Sequence, residues 1–300
     1  MTTNIITDPY SNSSPFKTVA RGVLTVLSHI LPRRMYYAVY QPLFQAYQWL
    51  LRTRYQAGIS AARRSGDHAR VQRAQRVLAV MPHSLIGSQG LEHTHDLALD
   101  LVERRVDGAF VECGVAQGGC AALIAEVASL DASARHCWFF DSFEGLPDPT
   151  SDDFEEGRTG RHIRPLPKGS CLGTLEQVSE LLFETFGFSR QRITLVKGWF
   201  QDTVESHAKQ MGSIALLRID GDWYDSTMCC LEALYDRVTP GGHVIIDDYF
   251  SCYGAKKATD EFLKRRGGEV RLVSDGRGGC AFQKPASHGT PQSQPLPAAA

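Results

Sequence analysis

The 300-residue sequence has almost no net charge and no long apolar run, and these two absences limit its function. Its 32 basic residues nearly balance 33 acidic ones, so bulk electrostatics predicts no nucleic-acid partner. No apolar run approaches the roughly 20 residues of a membrane-spanning helix, so we expect no transmembrane segment. The first residues lack the basic and apolar regions of a signal peptide, which predicts a cytoplasmic protein.

Paired cysteine motifs are also missing. None of the eight cysteines belongs to a C-x-x-C pair, and several lie within apolar strand or helix patterns. Such positions are typical of buried, reduced thiols. The sequence therefore predicts neither a zinc site nor a disulfide framework.

Two common nucleotide-binding motifs are absent from the glycine-rich stretch FVECGVAQGG, residues 110–119. It matches neither G-x-G-x-x-G nor G-x-x-x-x-G-K-S/T, which argues against a nicotinamide-dependent reductase. It places Glu112, Gly114 and Gly118 at a predicted strand-to-helix junction, where doubly wound sheets bind ligands. Without a lysine, the loop suits a cationic or zwitterionic group, and the amino-acid end of S-adenosylmethionine fits, with Glu112 accepting hydrogen bonds from its ammonium. A tight turn without a ligand is the alternative.

Composition and periodicity divide the chain into three regions. Residues 1–80 form a predicted helical N-terminal extension, residues 81–284 alternate strand and helix patterns, and residues 285–300 resemble a disordered tail. Within the extension, a helix from Phe16 is predicted to end before Pro32. The extension could form a lid, a dimer interface or a membrane-surface helix. Its basic, largely polar second half favours a lid or a dimer.

Seven apolar segments in the middle region predict β-strands. They are residues 109–113, 136–140, 193–197, 214–219 and 243–247, with weaker ones at 269–273 and 279–283. Helical patterns separate them at 119–130, 174–186, 202–211, 225–237 and 255–266. Continuous apolar runs are typical of a parallel sheet buried on both faces. Because the turn-like SDGRGG separates the last two strands, we expect an α/β protein with a class I methyltransferase, Rossmann-like, seven-stranded doubly wound sheet.

Residues after the second and third strands extend the candidate cofactor site. Asp141 follows the second strand, where a carboxylate is placed to bind a vicinal ribose diol. Gly198 and Trp199 follow the third strand, and the indole offers a flat apolar face for adenine. The alternatives are a turn or capping role for Asp141 and simple core packing for Trp199.

Three acidic residues follow the fourth and fifth strands. Asp220 comes after the fourth, and Asp247 and Asp248 come at the end of the fifth. In a doubly wound sheet these strands are neighbours about 4.8 Å apart, so the three carboxylates should meet. They repel one another unless a cation compensates, and an oxygen-only ligand set selects a hard cation such as Mg²⁺. The alternative is a group of solvated loop acids, with Asp220 capping the next helix.

Six motifs together resemble those of macrocin O-methyltransferase-like proteins. They are FVECGVAQGG, DSFEGLP, VKGWFQDT, LRIDGDWYDST, GGHVIIDDY and GAKKATDEF, within about residues 81–284. The resemblance implies an S-adenosylmethionine-dependent, Mg²⁺-dependent enzyme that methylates sugar hydroxyls of natural products. It also implies a methionine-binding loop of Glu112, Gly114, Val115 and Gly118, a ribose site of Asp141 and Ser142, an adenine site of Gly198 and Trp199, and metal ligands Asp220, Asp247 and Asp248.

The expected reaction is an in-line methyl transfer to an acceptor oxygen that the metal activates. Asp220 is the candidate catalytic residue that takes the proton, and His162 and His243 are looser candidates. Residues 1–75 and the charged loop 148–170 do not match the family pattern, so the acceptor is open. It is a glycosylated small molecule, or a catechol or other small phenol. A non-enzymatic scaffold is a further alternative, and we expect a homo-oligomer.

Overall fold

The structure, a computed structural model, describes residues 22–24, 26–27, 30–133, 135–160, 168–267 and 270–285. Its strands are β1 (Ala109–Cys113), β2 (Cys137–Asp141), β3 (Ile193–Lys197), β4 (Ile214–Ile219), β5 (Val238–Ile246), β6 (Val273–Ser274) and β7 (Cys280–Gln283). They form one sheet in the order β3-β2-β1-β4-β5-β7-β6. The first five are parallel, and β7 is antiparallel to β5 and β6. The predicted seven-stranded α/β sheet with a terminal hairpin is therefore confirmed.

Helices cover both faces of this sheet. They are α1 (Arg33–Arg64), α2 (His68–Val80), α3 (Ser88–Glu103), α4 (Gly119–Ser129), α5 (Leu175–Ser179), α6 (Phe200–Met211), α7 (Tyr224–Leu234) and α8 (Tyr253–Arg266). A π-helical turn, Glu180–Thr185, continues α5, so the helix predicted over 174–186 has two parts. Helices α2, α3 and α4 pack in one apolar core, and α6, α7 and α8 pack in the other. The central strands are buried on both faces for this reason.

Several strand boundaries differ from the predicted ones. β2 starts and ends one residue later, so Asp141 is its last residue. β5 begins at Val238 rather than at residue 243, because Val238 pairs with Ile214 across an irregularity in the β4 ladder. Pro240 and two following glycines concealed this start, since proline and glycine are rare inside strands. β6 contains only Val273–Ser274 and pairs with β7 at the sheet edge.

The N-terminal extension is dominated by one long helix. α1 has 32 residues and continues through Pro42. The described residues between 22 and 30 are helical and Pro32 is not, so the predicted break there is confirmed. The Tyr55 hydroxyl of α1 donates to a Glu92 carboxylate oxygen of α3 at 2.5 Å. This contact joins the extension to the helices of the sheet domain.

The structure also bears on the predictions about the cysteines, membrane-spanning helices, the domain boundary and the C-terminal tail. None of the eight cysteines forms a disulfide and six are buried, as their apolar surroundings predicted. Within the described part of the chain, no helix has the length and apolar character needed to span a bilayer. The domain boundary after residue 80 stays a prediction. Residues 286–300 of the predicted tail lie outside the described residues.

Candidate active site at the carboxyl edge of the sheet

The loop between β1 and α4 depends on two glycines with positive φ. Gly114 has φ +97° and Gly118, the N-cap of α4, has φ +88°, a region that favours glycine. A Cβ at Gly114 would lie 1.8 Å from the carbonyl oxygen of Asp220. The Asp220 N–H also donates to the Cys113 carbonyl at 2.8 Å. The glycine loop and the first acidic residue are therefore in direct contact.

Gly114→Ala is expected to lower the free energy of unfolding. Holding an alanine in the left-handed conformation costs about 1–3 kcal/mol, and the loss should exceed this cost. The added methyl group would overlap backbone at the end of β4. Gly187→Ala is the matched control, because Gly187 has φ +69° and nothing lies within 4 Å of an added Cβ. Urea unfolding of both variants gives the two losses in the free energy of unfolding. Equal losses would contradict the close approach of loop and strand.

Asp141, at the end of β2, holds the same loop from the other side. Its Oδ2 accepts hydrogen bonds from the backbone N–H groups of Val115 at 2.7 Å and Ala116 at 2.9 Å. The Ser142 hydroxyl supports the next turn by accepting from the Glu144 N–H at 3.1 Å. The turn role considered as an alternative for Asp141 is thus present. Asp141 Oδ1 also accepts from the Phe143 N–H at 2.6 Å. A carboxylate has about four lone-pair sites, so these three bonds leave about one for a ligand hydroxyl.

The end of β3 lies beside the end of β2. The Gly198 N–H donates to the Asp141 carbonyl at 3.0 Å. Gly198 has φ +144°, and a Cβ there would lie 2.6 Å from Cγ2 of Thr203. Trp199 is half-buried and precedes α6, and its carbonyl accepts from the Thr203 hydroxyl at 2.9 Å. The three predicted cofactor segments are therefore adjacent, in the order β3, β2, β1.

Three carboxylates meet where β4 and β5 end. Asp220, Asp247 and Asp248 each place an oxygen within 4.8 Å of the others. The fully buried Arg218 donates from Nη1 to Glu112 Oε1 at 2.8 Å and to Asp220 Oδ2 at 3.0 Å, and from Nη2 to Asp247 Oδ1 at 2.5 Å. Burial raises the pKa of Glu112 to about 7, although Arg218 opposes this effect. Glu112 thus lies inside the sheet, below the loop that it was predicted to line.

Two arginines, Arg218 and Arg277, lower the pKa of Asp247. Arg277, in the turn before β7, donates to Asp247 Oδ2 at 2.7 Å, so both oxygens of Asp247 are engaged. Burial raises the pKa of Asp247, but Arg218 and Arg277 outweigh it, so the pKa lies below the usual range. Burial and then nearby carboxylates raise the pKa of Asp248 to about 7, and burial and Asp247 raise that of Asp220. A cation would relieve this repulsion because it favours the ionised forms.

A fourth acid, Asp222, belongs to the same cluster, and the sequence analysis missed it. Asp222 is buried and has φ +54°. Its Oδ1 accepts from the Cys252 thiol at 3.6 Å, and these residues together with Asp248 place three ligand atoms within 4.8 Å of one another. Burial, then Asp220 and Asp247, raise its pKa to about 7. The available signal was the second aspartate of IDGDWYD.

The charged loop 148–170 is described except for residues 161–167, and the part up to Gly160 is fixed against the acidic cluster. Asp153 is fully buried, and its Oδ1 accepts from the Tyr224 N–H at the start of α7 at 2.6 Å. Gly160 forms a β-bridge with Cys252, the N-cap of α8. The loop therefore borders the acids on the side where the sequence predicted an acceptor.

Comparison with known proteins identifies the family of this chain. The macrocin-O-methyltransferase (TylF) family matches residues 21–281. Demethyldecarbamoylnovobiocin O-methyltransferase from Streptomyces niveus is 32% identical over 203 residues, which are 67% of this chain and 76% of that protein. The chain belongs to the macrocin O-methyltransferase family.

Two further comparisons agree with this assignment. The 8-demethyl-8-(2,3-dimethoxy-alpha-L-rhamnosyl)-tetracenomycin-C 4'-O-methyltransferase of Streptomyces olivaceus is 35% identical over 168 residues, or 56% of this chain and 62% of that protein. The solved structure of the O-methyltransferase NovP has a TM-score of 0.60 and 31% identity, over 68% of this chain and 83% of that one. The chain is thus an S-adenosylmethionine-dependent O-methyltransferase. The family match starts at residue 21 and so includes the helices of the N-terminal extension.

The structure gives different results for the two histidines that were considered as proton acceptors. His243 lies on β5 four residues before Asp247, which is about 13 Å along a strand. Its Nε2 is 2.8 Å from Asp100 Oδ2 of α3. His243 is therefore not placed to take a proton at the carboxyl edge. His162 lies outside the described residues.

The fold brings the predicted residues to one edge of the sheet and adds partners that were not predicted. The three predicted metal ligands lie together, and the predicted cofactor segments lie next to them. The unpredicted members are Arg218, Arg277, Asp222 and Cys252. Arg218 had a signal, because it is the lone basic residue inside the apolar strand IALLRI. Such a charge is almost never fully buried unless it is paired.

Proposed function

We propose that this enzyme methylates a hydroxyl of a glycosylated natural product in a Mg²⁺-dependent reaction. The observation that carries the proposal is the set Asp220, Asp247 and Asp248, whose oxygens lie within 4.8 Å of one another beside Gly114. A relative whose named substrate carries a dimethoxyrhamnosyl group supports a sugar acceptor. A divalent ion at these acids suits an acceptor with vicinal oxygens, which sugars provide.

The proposed methyl-donor site follows the ends of β1, β2 and β3. We assign Glu112, Gly114, Val115 and Gly118 to the methionine moiety, Asp141 and Ser142 to the ribose, and Gly198 and Trp199 to the adenine. The positive φ of Gly114 and Gly118 supports the first assignment, because glycines let a ligand approach the backbone closely. Glu112 would act from below the loop, since its side chain is buried and paired with Arg218.

The proposed metal site is supported by the chemistry of its donors. Asp248 Oδ2 is buried and has no hydrogen-bond partner among the described residues, while Oδ1 accepts from the Ser251 hydroxyl at 2.7 Å. A buried carboxylate oxygen without a partner is unfavourable unless a cation binds it. Arg218 holds Asp220 and Asp247 in place. When bound, the ion would stabilise negative charge on the acceptor oxygen.

Asp220 is the proposed proton acceptor and catalytic residue. Its side chain is 23% exposed, whereas that of Asp247 is 4% exposed, so an acceptor can reach Asp220 more readily. Arg218 fixes the Asp220 carboxylate at 3.0 Å, and Gly114 contacts its backbone. The proton acceptor and the proposed methionine site are therefore adjacent, and methyl transfer depends on this proximity.

Product analysis tests the proposal. Purified full-length protein is incubated with labelled S-adenosylmethionine and glycosylated or catechol acceptors, and products are measured by mass spectrometry. We expect label in a glycosylated acceptor with Mg²⁺ and none with EDTA. Label only in catechols would support the phenol alternative. Undiminished transfer in EDTA would overturn the metal requirement.

We also infer a homo-oligomer that forms through α1. Exposed apolar side chains recur every three or four residues along this helix, at Met35, Val39, Leu43, Tyr47 and Leu50. This spacing makes one stripe, and an exposed stripe of this length is typical of an interaction surface. Leu43→Glu is expected to lower the mass measured by light scattering towards that of a monomer, whereas Gln45→Glu, on another face, should not. A monomeric wild-type mass would contradict the inference.

The proposed setting is the biosynthesis of natural products such as antibiotics, in the cytoplasm. The named relatives methylate derivatives of novobiocin and tetracenomycin. The eight cysteines form no disulfide, which supports a reducing compartment, because disulfides persist in oxidising ones.

A further inference from the structure

A second set of ligand atoms overlaps the proposed Mg²⁺ site. Asp222, Asp248 and Cys252 are all buried, and their two carboxylate oxygens and one sulfur lie within 4.8 Å of one another. We propose that these three residues bind a thiophilic divalent cation such as Zn²⁺, in a site that shares Asp248 with the Mg²⁺ site. The sequence predicted no zinc site, because none of the eight cysteines belongs to a C-x-x-C pair.

The spacing of the ligand atoms fits a zinc ion. Zinc binds sulfur at about 2.3 Å and carboxylate oxygen at about 2.0 Å in a tetrahedral arrangement, which separates the two ligand atoms by about 3.5 Å. The Cys252 Sγ lies 3.6 Å from Asp222 Oδ1. The pair therefore needs little rearrangement to share one ion.

An unpaired oxygen of Asp248 is the ligand that the two proposed sites would share. Asp248 is 6% exposed, and its Oδ2 has no hydrogen-bond partner among the described residues. Its Oδ1 is already bonded to Ser251, so Oδ2 is the atom that can serve as a ligand. Buried polar atoms nearly always have a partner, and a metal ion is one way to supply it.

Positive charge is distributed unevenly over the four acids. Asp220 and Asp247 are paired with Arg218, and Asp247 is also paired with Arg277. In the described part of the chain, no lysine or arginine forms an ion pair with Asp222 or Asp248. Buried carboxylates of this kind are retained when they are paired or when they coordinate a metal.

The backbone fixes Cys252 in position before any ion binds. Gly160 forms a β-bridge with Cys252, and the next residue, Tyr253, donates its N–H to the Thr159 carbonyl at 3.1 Å. Cys252 is also the N-cap of α8. Because loop and helix both hold this segment, the sulfur is positioned in advance, as a metal ligand must be.

Binding would exchange a proton for the metal. The Cys252 S–H bond breaks, the proton leaves to water, and a sulfur–zinc bond forms, since the thiolate is the ligand. Zinc on Asp248 would exclude Mg²⁺ from that residue. Inhibition of methyl transfer by zinc rests on the proposed function, whereas binding to the three residues does not.

Thiolate-to-metal charge-transfer absorption tests the binding directly. Full-length protein is freed of metal with EDTA, exchanged into buffer and titrated with Cd²⁺, which reports thiolate ligation. We expect the absorption to saturate at one ion per chain, to disappear on addition of competing Zn²⁺, and to be lost in Cys252→Ser. Cys229→Ser is the matched control, because Cys229 is a half-buried thiol on α7 outside the cluster, and it should keep the absorption.

Further variants separate the site from chance binding to a thiol. Asp222→Asn should weaken Cd²⁺ binding at least tenfold and keep the absorption at saturation. Unchanged affinity in Asp222→Asn, or unchanged absorption in Cys252→Ser, would overturn the proposal. Circular dichroism melting confirms that each variant is folded. Because the readout is absorption, its result is independent of whether the enzyme methylates the proposed acceptor.

Discussion

Asp248→Asn is expected to abolish Mg²⁺-dependent methyl transfer while S-adenosylmethionine still binds. Asp248 has one oxygen bonded to Ser251 and one without a partner, so it is the acid most free to bind an ion. Removing a group that hydrogen-bonds to a metal ligand lowers metal affinity or activity about 10–100-fold. Removing a ligand itself should therefore lower turnover at least about 100-fold. Turnover with and without Mg²⁺, together with calorimetry of donor binding, measures both effects.

Asp248 gives a cleaner test than its neighbour Asp247. Both oxygens of Asp247 are bonded to arginines, so its replacement removes the printed partner of Arg277 and one of three partners of Arg218, as well as a metal ligand. Asp225→Asn is the matched control, because Asp225 is exposed on α7, and it should keep Mg²⁺-dependent turnover. Mg²⁺-stimulated turnover in Asp248→Asn, or equal loss of donor binding, would contradict a metal-ligand role for Asp248.

Arg218→Met is expected to lower the free energy of unfolding by about 3–5 kcal/mol, the usual cost of removing one partner from a buried ion pair. Arg218 is fully buried, and its guanidinium bonds to Glu112, Asp220 and Asp247. Without it, the carboxylates of Glu112, Asp220 and Asp247 lose their shared partner, and those of Glu112 and Asp247 are buried. Urea unfolding at neutral pH, with a check that the transition is two-state, measures the loss.

The control for Arg218→Met is Arg190→Met. Arg190 bonds to Glu184 at 2.9 Å, but both side chains are more than half exposed, so the pair should contribute about 0–1 kcal/mol. A loss in Arg218→Met as small as in the control would mean that the buried acids take up protons instead of depending on the arginine. The pair of variants thus distinguishes a charge-paired cluster from a protonated one.

The middle of the sheet was predictable because its strands are buried on both faces. β1 and β4 have the predicted bounds, since a buried parallel strand is a continuous apolar run. The partly buried edge strand β3 also has its predicted bounds. The start of β5 was not predictable in the same way. It depends on pairing of Val238 with Ile214, and Pro240 lies within it. A local pattern does not contain that pairing.

The candidate site was predictable wherever a residue follows a strand. Asp220 and Asp248 come at the ends of neighbouring strands, and the sheet order places them together. Arg277 could not be placed from sequence, because it belongs to the hairpin turn and reaches Asp247 through the fold. Cys252 likewise meets Asp222 only because the start of α8 lies beside the end of β4.

The sequence alone determined the doubly wound sheet, the glycine loop and the meeting of three aspartates, because strand periodicity and chain order specify which residues reach the carboxyl edge. Tertiary structure decided the charge state of that edge. Whether an acid is ionised there depends on the distance to Arg218 and Arg277, two side chains that come from the interior of one strand and from a distant turn. Electrostatic interactions act through space, so their partners are known only once the chain has folded.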